Sequence, residues 1–376
     1  MFLDILYVIM IMASGQALLL SFHFITKKND RLPNRLLGFL MFLFALNLLD
    51  VTQIISGYYV HHPHLLGLTS LFPYLYGPVL YLFSRAVSEK KKRLEWSDYL
   101  HFLPFIILMI VGLPLFYFQS AEWKVGLVTK TVEAPVLAFF GMLIPVAGIL
   151  YVVLSFRVLR RYQNKIKENY SNVEQINMEW LRYFIIGNGV IWVFVIVSYI
   201  AHEIVPEFAA NLLIYIPLSC FIFWDAYISL TRRSDFFIKS AEDIKSPASP
   251  QYSKSGLTEE QADQIIKNLK LIIESEKPYL NSGLKLQDLS EMLAVPAHHL
   301  TEILNTRLKQ NFYDFINNYR VNEVKRLIEE DSDRKYNLLS LALDAGFSSK
   351  STFNSIFKKH TGLTPSEYRK EINQAA

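Results

Sequence analysis

Seven long apolar stretches occupy the chain up to about residue 230, and they constrain its architecture more than any other feature. A helix that crosses a bilayer needs about 20 consecutive, mainly apolar residues. The chain is 52% hydrophobic and only 19% charged, compared with about 25% charged residues in a typical soluble domain. Each stretch is therefore predicted to be a membrane-spanning helix. The predicted spans are Leu3–Phe24, Asn34–Ser56, Leu65–Val87, Tyr99–Phe118, Pro135–Phe156, Leu181–Glu203 and Phe208–Ser229.

Positively charged residues in the connecting loops indicate a direction across the bilayer. Lysine and arginine are concentrated in the first, third and fifth loops, absent from the second and sixth, and limited to Lys124 and Lys130 in the fourth. Because such residues favour the cytoplasmic side, the odd-numbered loops are predicted to be cytoplasmic. Seven spans then place the N-terminus outside and the chain after Arg233 in the cytoplasm. Positive charges follow the first stretch instead of preceding it, which predicts an uncleaved span and not a signal peptide.

Four polar residues near the outer ends of predicted spans are candidates for sensing a signal. Asp50 and Gln53 lie in the second span, and His202 and Glu203 end the sixth. A polar group left unpaired in hydrocarbon is costly, so such residues are functional candidates. The alternative is that they lie at headgroup level and sense nothing. The loop histidines lack the spacing of a zinc site and the chain has one cysteine, so neither a metal nor a cofactor is predicted.

The sequence changes character at residue 235. Residues 235–257 are rich in serine, proline and lysine, keep no helical period, and are predicted to be a flexible linker between the apolar domain, 1–234, and a second domain, 258–376. This second domain has the composition of a soluble protein. Thr258 followed by Gln261 has the pattern of a capping box, which predicts that a helix starts there.

Two similar pairs of short helices are predicted in residues 258–376, joined by one longer helix. In the first pair, apolar residues at helical spacing lie on both sides of a break at residues 294–296. In the second pair, Gly346 supplies the turn, and Phe353 and Phe357 mark a buried face. Two short helices around a tight break fit a helix-turn-helix. The predicted fold class is all-α: a seven-helix transmembrane bundle, then a cytoplasmic all-α domain with two helix-turn-helix units joined by a linker helix.

A specific set of residues in the second helix pair and beyond keeps a recognisable spacing. These residues are Ala342-Leu343-Asp344-Ala345-Gly346-Phe347, Ser351-Thr352-Phe353, Phe357-Lys358-Lys359, Gly362, Thr364-Pro365 and Tyr368-Arg369. Together with the preceding helix pair and its connecting helix, they resemble the signature of the AraC family of bacterial transcription regulators. The resemblance covers roughly residues 280–372, about a quarter of the chain, and does not reach the apolar half.

In the AraC family the second helix of each pair reads a segment of the major groove. The resemblance implies that eight residues face bases: His298, Thr301, Glu302, Asn305, Lys350, Ser351, Asn354 and Ser355. Their chemistry suits that role, because asparagine bonds adenine, lysine reaches guanine and glutamate accepts from cytosine. Phosphate contacts position the domain without reading sequence, and the resemblance assigns these to Arg307, Lys358 and Lys359.

The first helix pair departs from the family pattern at two positions. It has Ala294 where the family often has glycine at the turn, and Asn311 is aligned with Gly362 of the second pair. The resemblance therefore does not fix which bases the first pair reads. Residues 257–376 hold 16 Lys and Arg against 17 Asp and Glu, a net charge of −1. Strong nonspecific binding to DNA is therefore not predicted, although basic residues cluster within 350–370.

The two halves together predict a membrane-embedded, sequence-specific transcription regulator that couples an unknown signal to DNA binding. The expected partners are double-stranded DNA, the lipid bilayer and a small ligand or membrane signal, and the expected location is the bacterial inner membrane. Two routes of output stay open, a homodimer formed across the membrane and cleavage within the linker. No catalytic motif interrupts the chain, so an enzyme is not predicted. The alternatives are a membrane transporter or enzyme with a regulatory DNA-binding tail, and a membrane-anchored DNA tether without sensing.

Overall fold

The part of the chain that the structure describes is helical. In this computed structural model, the described residues are 2–28, 30–129, 131–174, 176–201, 204, 207–231, 257–331 and 335–375. Within these ranges the secondary structure consists of helices and turns, with one isolated antiparallel bridge between Tyr170 and Lys285 and no strand. The prediction of an all-α fold is confirmed.

The chain forms two compact units. The first consists of Met1–Tyr162 and Met178–Phe237, and the second consists of Gln163–Asn177 and Ile238–Ala376. The loop between the fifth and sixth predicted spans therefore shares a unit with the second half of the chain, whereas the sequence had suggested a single boundary near residue 235. Of the predicted linker, residues 235–256 lie outside the described part of the chain.

The first unit is built from apolar helices. Their bounds are α1 Phe2–Thr26, α2 Arg31–Ile55, α3 Pro73–Ser88, α4 Trp96–Tyr99, α5 Leu103–Gly112, α6 Ala121–Val128, α7 Pro135–Asn169, α8 Glu179–Ala201 and α9 Glu207–Thr231. Between α5 and α6, residues Leu113–Tyr117 form a π-helical turn. Helix α7 extends beyond the first unit, since the unit boundary falls at residue 162.

Five helical segments among the described residues are long and apolar enough to cross a bilayer. They are Ile5–Thr26, Arg31–Ile55, Trp96–Tyr117, Pro135–Asn169 and Glu179–Ala201. A shorter apolar helix covers Leu212–Ile228, in the region of the seventh predicted span. Large apolar side chains point outward on these helices, as on α8, where Val193 is 56% exposed and Ile200 is 63% exposed. An outward apolar face of this kind suits contact with lipid.

The third predicted span is shorter than the sequence suggested. Helix α3 begins at Pro73 and not at Leu65, because the preceding residues form turns and proline is favoured in the first turn of a helix. The Asp50 carboxylate holds one of these turns. It accepts hydrogen bonds from the Gly67 N–H at 3.1 Å, the Thr69 N–H at 3.0 Å and the Thr69 hydroxyl at 2.7 Å. Gly67 adopts a left-handed φ of +67°, which glycine accommodates without strain.

Beyond residue 257, the described part of the second unit contains seven α-helices and a 3-10 helix at Pro278–Leu280. The α-helices are α10 Glu259–Glu276, α11 Leu286–Met292, α12 Ala297–Thr306, α13 Phe312–Glu330, α14 Leu338–Asp344, α15 Lys350–Thr361 and α16 Pro365–Ala375. The predicted capping box at the start of α10 is confirmed: the Gln261 N–H donates to the Thr258 hydroxyl at 3.2 Å, and the Thr258 N–H donates to the Gln261 side-chain oxygen at 3.1 Å.

Two hydrophobic clusters form the core of this second unit, one for each helix pair. Helix α13 serves both clusters along its length. Near its start, Phe315 and Ile316 pack with residues of α10, α11 and α12, such as Leu300. Nearer its end, Val324 packs with residues of α14 and α15, such as Phe353. The long helix therefore joins the two pairs by contributing to both cores, which agrees with the predicted linker helix.

Candidate nucleic-acid interface

The turn of the second helix pair, between α14 and α15, requires glycine. Gly346 has φ of +90°, and a hydrogen bond of 3.0 Å from the Phe347 N–H to the Ala342 carbonyl closes the turn. A Cβ atom at position 346 would lie 2.3 Å from the Tyr279 carbonyl oxygen and 2.8 Å from that of Leu280. Both the backbone conformation and the close approach of a neighbouring chain segment therefore exclude a side chain here.

The turn of the first helix pair, between α11 and α12, has the same form without glycine. Ala294 has φ of +53°, and the Val295 N–H donates to the Ser290 carbonyl at 3.0 Å. A left-handed alanine costs roughly 1–2 kcal/mol relative to its preferred conformations. The departure noted at Ala294 is thus accommodated by the backbone, and the turn is kept.

The structure corrects the alignment of the two pairs after their second helices. The left-handed residue that follows α15 is Gly362, with φ of +80°, and the one that follows α12 is Lys309, with φ of +54°. Asn311 instead caps α13, since its side-chain oxygen accepts from the Asp314 N–H at 2.8 Å. Aligning Asn311 with Gly362 was therefore wrong, because Asn311 corresponds to a capping residue and not to the residue that ends a helix.

Helix α15 presents the residues proposed to face bases on its open side. Its first turn is capped by Ser349, whose hydroxyl accepts from the Thr352 N–H at 3.2 Å. Phe353 and Phe357 are buried on the opposite side, as predicted. The four residues that the resemblance assigned to bases on this helix are all exposed: Lys350, Ser351, Asn354 and Ser355.

Helix α12 presents a less accessible set. His298 is exposed, whereas Thr301, Glu302 and Asn305 are half-buried. The Thr301 hydroxyl donates to the Ala297 carbonyl at 3.0 Å. The His298 and His299 rings lie 4.2 Å apart, and burial, followed by the charge of His298, lowers the pKa of His299. Of the two helices, α15 therefore offers the more open surface to a base edge.

Two of the three basic residues assigned to phosphate are paired with carboxylates of the same unit. The Lys359 ammonium lies 2.8 Å from the Asp314 carboxylate, and the Arg307 guanidinium lies 3.3 Å from that of Glu259. Lys358 is exposed on α15. Exposed pairs of this kind are weak, so both cations can exchange their partner for a phosphate.

A buried arginine on α13, which is not among the predicted site residues, connects several chain segments in the core of the second unit. Arg320 is 1% exposed, and burial lowers the pKa of its guanidinium to about 10. It donates to the carbonyls of Tyr279 and Asn281, each at 2.8 Å, and to the Asn317 side-chain oxygen at 3.2 Å. A buried cation is tolerated only when its donors are satisfied, and here two further bonds go to Ser171, at 3.0 Å to its carbonyl and 3.0 Å to its hydroxyl.

Ser171 belongs to Gln163–Asn177, here called the 163–177 segment, which comprises the end of α7 and the loop after it and is part of the second unit. It is 1% exposed. Its N–H and its hydroxyl both donate to the Leu284 carbonyl, at 3.2 Å and 2.7 Å. Its carbonyl also accepts from the Asn317 side chain at 3.3 Å. The loop after α7 is therefore part of the core of the second unit.

Three residues further on, Glu174 contacts the start of α15. Its carboxylate accepts hydrogen bonds from the hydroxyls of Ser349 and Thr352, and the Ser348 hydroxyl lies 3.5 Å from its second oxygen. The Asn172 side chain steadies this stretch by accepting from the Glu174 N–H at 3.2 Å. No local pattern in the sequence points to this contact, because its partners lie about 175 residues apart in the chain.

The four polar residues proposed to sense a signal do not form one site among the described residues. Asp50 is engaged in the turn before α3, and the Gln53 side chain donates to it at 3.3 Å. His202 and Glu203 lie outside the described residues. The first unit instead contains a partly open cavity of about 380 Å³ lined by aromatic, apolar, amide and hydroxyl side chains, including Phe44, Asn47, Tyr76, Asn188 and Trp192. The Tyr76 hydroxyl, which lines it, is buried and has no hydrogen-bond partner among the described residues.

Comparison with known proteins locates the same region. A family profile described as a helix-turn-helix domain matches residues 289–371. The melibiose operon regulatory protein of Escherichia coli (strain K12) is 32% identical over 94 residues, which are 25% of this chain and 30% of that protein. The probable transcription factor PqrA of Proteus vulgaris is 29% identical over 89 residues, 24% of this chain and 70% of that protein. The chain thus spans less than a third of the length of the melibiose regulator.

A solved structure of a protein of unknown function from Listeria innocua is also similar. It is 32% identical, with 28% of this chain and 95% of that chain matched and a TM-score of 0.25. The profile match coincides with the duplicated helix pairs. Together they identify residues 289–371 as an AraC-type helix-turn-helix domain.

Proposed function

We propose that this protein is a membrane-embedded regulator that binds specific DNA sequences and changes its binding in response to a signal at the membrane. Five described helices have the length and apolar character of membrane spans. The loops between the predicted spans carry lysine and arginine on alternate sides, as the charge rule for cytoplasmic loops requires. These two observations support embedding in the inner membrane with the DNA-binding half in the cytoplasm.

One observation carries the proposal that signal and output are coupled. The 163–177 segment comprises the end of the apolar helix α7 and the loop that leads to the apolar helix α8, yet it packs within the DNA-binding unit through Ser171 and Arg320. The linker at 235–257 is thus not the only covalent path between the two halves. A rearrangement of α7 against α8 would act directly on a segment that belongs to the DNA-binding core.

DNA reading is proposed to depend chiefly on α15. Lys350 and Asn354 are exposed on it, and their side chains suit guanine and adenine edges in the major groove. The half-buried set on α12 would contribute the second reading helix. Lys358, and Lys359 after release from Asp314, would hold the phosphate backbone. A homodimer would raise the affinity further by presenting paired DNA-binding halves.

The cavity of the first unit is the proposed location of a signal molecule. Among the described residues its lining holds no charged side chain, so the ligand would be uncharged and largely apolar. The buried Tyr76 hydroxyl and the Asn47 and Asn188 amides would supply the few polar contacts that orient it.

Genome-wide mapping of the DNA bound by the full chain in its own cells tests the central claim. We expect a small number of sites that share one sequence motif, and loss of all of them when residues 258–376 are deleted. Enrichment without a common motif would contradict sequence-specific binding. Reporter fusions after Ser229 test the topology, and we expect a cytoplasmic signal there; a periplasmic signal would contradict the proposed orientation.

A further inference from the structure

The start of helix α15 is the point at which an acidic group and DNA would meet. In a helix-turn-helix, the N-terminal residues of the second helix approach the base edges. The unpaired N–H groups and the dipole of such a terminus also favour a negatively charged group. In this protein the hydroxyls of Ser349 and Thr352 stand at that terminus beside Lys350, and both donate to the Glu174 carboxylate. A carboxylate therefore occupies a position with the properties of a phosphate site.

We propose that the 163–177 segment is autoinhibitory: Glu174 takes the place of a DNA phosphate at the start of α15 and has to leave before DNA binds there. The proposal rests on the proposed function, because it takes DNA as the competitor of Glu174. It adds the residue and the contact through which DNA binding is controlled. It gives the loop after α7 a defined action on the recognition helix.

The segment has two parts that differ in how firmly they are held. Ser171 is buried and shares hydrogen bonds with Arg320, Asn317 and Leu284. Glu174 is half-buried and contacts the half-buried hydroxyls of Ser349 and Thr352, and the exposed hydroxyl of Ser348 just before α15. Hydrogen bonds that water can reach are exchanged at less cost than fully buried ones. Ser171 is thus an anchor that stays in place, and the residues after it form an arm that can leave.

Charge makes the two bound states mutually exclusive. A carboxylate and a phosphate both carry negative charge, and placing them at one helix terminus would bring like charges within a few ångströms. The net charge of −1 over residues 257–376 gives the domain little general attraction for DNA to offset this repulsion. A single negative charge at the start of α15 therefore lowers the affinity for DNA more than it would in a strongly basic domain.

The two ends of the segment provide a way to move the arm. The Gln163 side chain donates to the Asn177 carbonyl at 3.0 Å, so the two ends of the segment are held together. Gln163 lies within α7, and Asn177 precedes α8 by two residues. A signal that separates these two ends would draw the arm from α15 while leaving Ser171 anchored.

Affinity for DNA tests the proposal directly. The full chain in lipid nanodiscs is titrated at low salt against a short fluorescent duplex of random sequence, which reports phosphate contacts without knowledge of the operator. Glu174→Gln keeps the size and a hydrogen-bond acceptor but removes the charge, and Glu174→Ala removes the contact. The matched control is Glu168→Gln, which removes the same charge from the same segment six residues earlier. We expect both Glu174 variants to bind about tenfold more tightly than the unaltered chain, and the control to be unchanged.

The outcomes separate this proposal from the proposed function. Equal binding by the unaltered chain and both Glu174 variants would overturn autoinhibition and leave DNA binding in place. An equal gain in affinity for Glu168→Gln would show that the loss of any negative charge in the segment has the same effect, and it would also overturn autoinhibition. Binding by none of the proteins, at any salt concentration, would overturn the proposed function and this inference with it.

A second measurement does not depend on any substitution. If DNA and the arm compete, saturating DNA must displace the arm, because coupling between two binding events is reciprocal. We expect hydrogen exchange of the amides at 173–177 to accelerate when the duplex is added, whereas the Ser171 amide stays protected. Unchanged or slower exchange at 173–177 in the DNA complex would overturn the proposal.

Discussion

The two helix pairs share one turn conformation but differ in what surrounds the turn. Each turn has a left-handed residue, Ala294 in the first pair and Gly346 in the second, and each is closed by a hydrogen bond of 3.0 Å. At the second turn a Cβ atom would lie 2.3 Å from the Tyr279 carbonyl oxygen. The first turn accommodates an alanine at a cost in backbone strain, whereas at the second turn the backbone of a neighbouring segment adds a collision that only glycine avoids.

The reading surfaces of the two units differ as well. The residues assigned to bases are half-buried on α12, apart from His298, and exposed on α15. The start of α15 is also the place that Glu174 contacts. The second helix pair therefore presents the more accessible surface, and the assigned residues of the first pair are more deeply buried.

Replacing Gly346 should have the largest effect on stability. In Gly346→Ala, the left-handed φ and the collision with the Tyr279 carbonyl act together, and we expect a loss of about 3 kcal/mol or more in the free energy of opening of α14 and α15. Hydrogen exchange of the amides in these two helices, measured on the full chain, gives this value. A loss below about 1 kcal/mol would show that the Tyr279 backbone moves aside freely.

Removing the side chains proposed to face bases should show which helix pair contributes more to the affinity for DNA. For the double variant Lys350→Ala with Asn354→Ala, we expect at least a thirtyfold weaker affinity for an operator, or about 2 kcal/mol, since each good base contact is worth about 1–3 kcal/mol. The corresponding variant of α12, His298→Ala with Asn305→Ala, should lose less because Asn305 is half-buried. A larger loss for the α12 variant would reverse the assignment of the main reader.

Gly362 should show what the left-handed conformation costs by itself. Nothing lies within 4 Å of a Cβ atom at this position, although its φ is +80°. We therefore expect Gly362→Ala to reduce the stability of α15 by about 1 kcal/mol, through backbone strain alone. Hydrogen exchange at the end of α15 measures this loss. A cost as large as that of Gly346→Ala would mean that the neighbouring backbone adds nothing to the cost at position 346.

Ala294→Gly should have the smallest effect and the opposite sign. Glycine relieves the strain at φ of +53° but adds freedom to the unfolded chain. The net result should be a gain of about 0.5 kcal/mol in the stability of α11 and α12. The readout is hydrogen exchange of those helices, and a clear loss of stability would show that the Ala294 methyl group makes a contact that the fold needs.

Much of the architecture could be predicted from local patterns. The capping box at Thr258, the buried face of Phe353 and Phe357, and the duplicated helix pairs all depend on residues close together in the sequence, and the structure confirms them. The start of α3 was placed too early because an apolar stretch does not reveal where turns end. A proline at position 73, preceded by Gly67, was the better local signal.

The contacts that organise the DNA-binding half could not be predicted in this way. Arg320 interrupts the apolar face of α13, and this unusual position is visible in the sequence. Its partner Ser171, however, lies 149 residues away. Glu174 is an ordinary loop glutamate until the fold brings it to the hydroxyls of α15. Long-range polar contacts leave no periodic signal, since only the folded backbone determines which donor meets which acceptor.

The burial of Arg320 has a consequence for how such a protein can be recombined. Two of its five hydrogen bonds end on Ser171, which lies 149 residues earlier in the chain and outside residues 258–376. A chimera that joined residues 258–376 to a different membrane domain would inherit the guanidinium without those acceptors. Such an exchange would need a compensating loop, so the membrane part and its output domain are expected to have been inherited together and not shuffled as interchangeable modules.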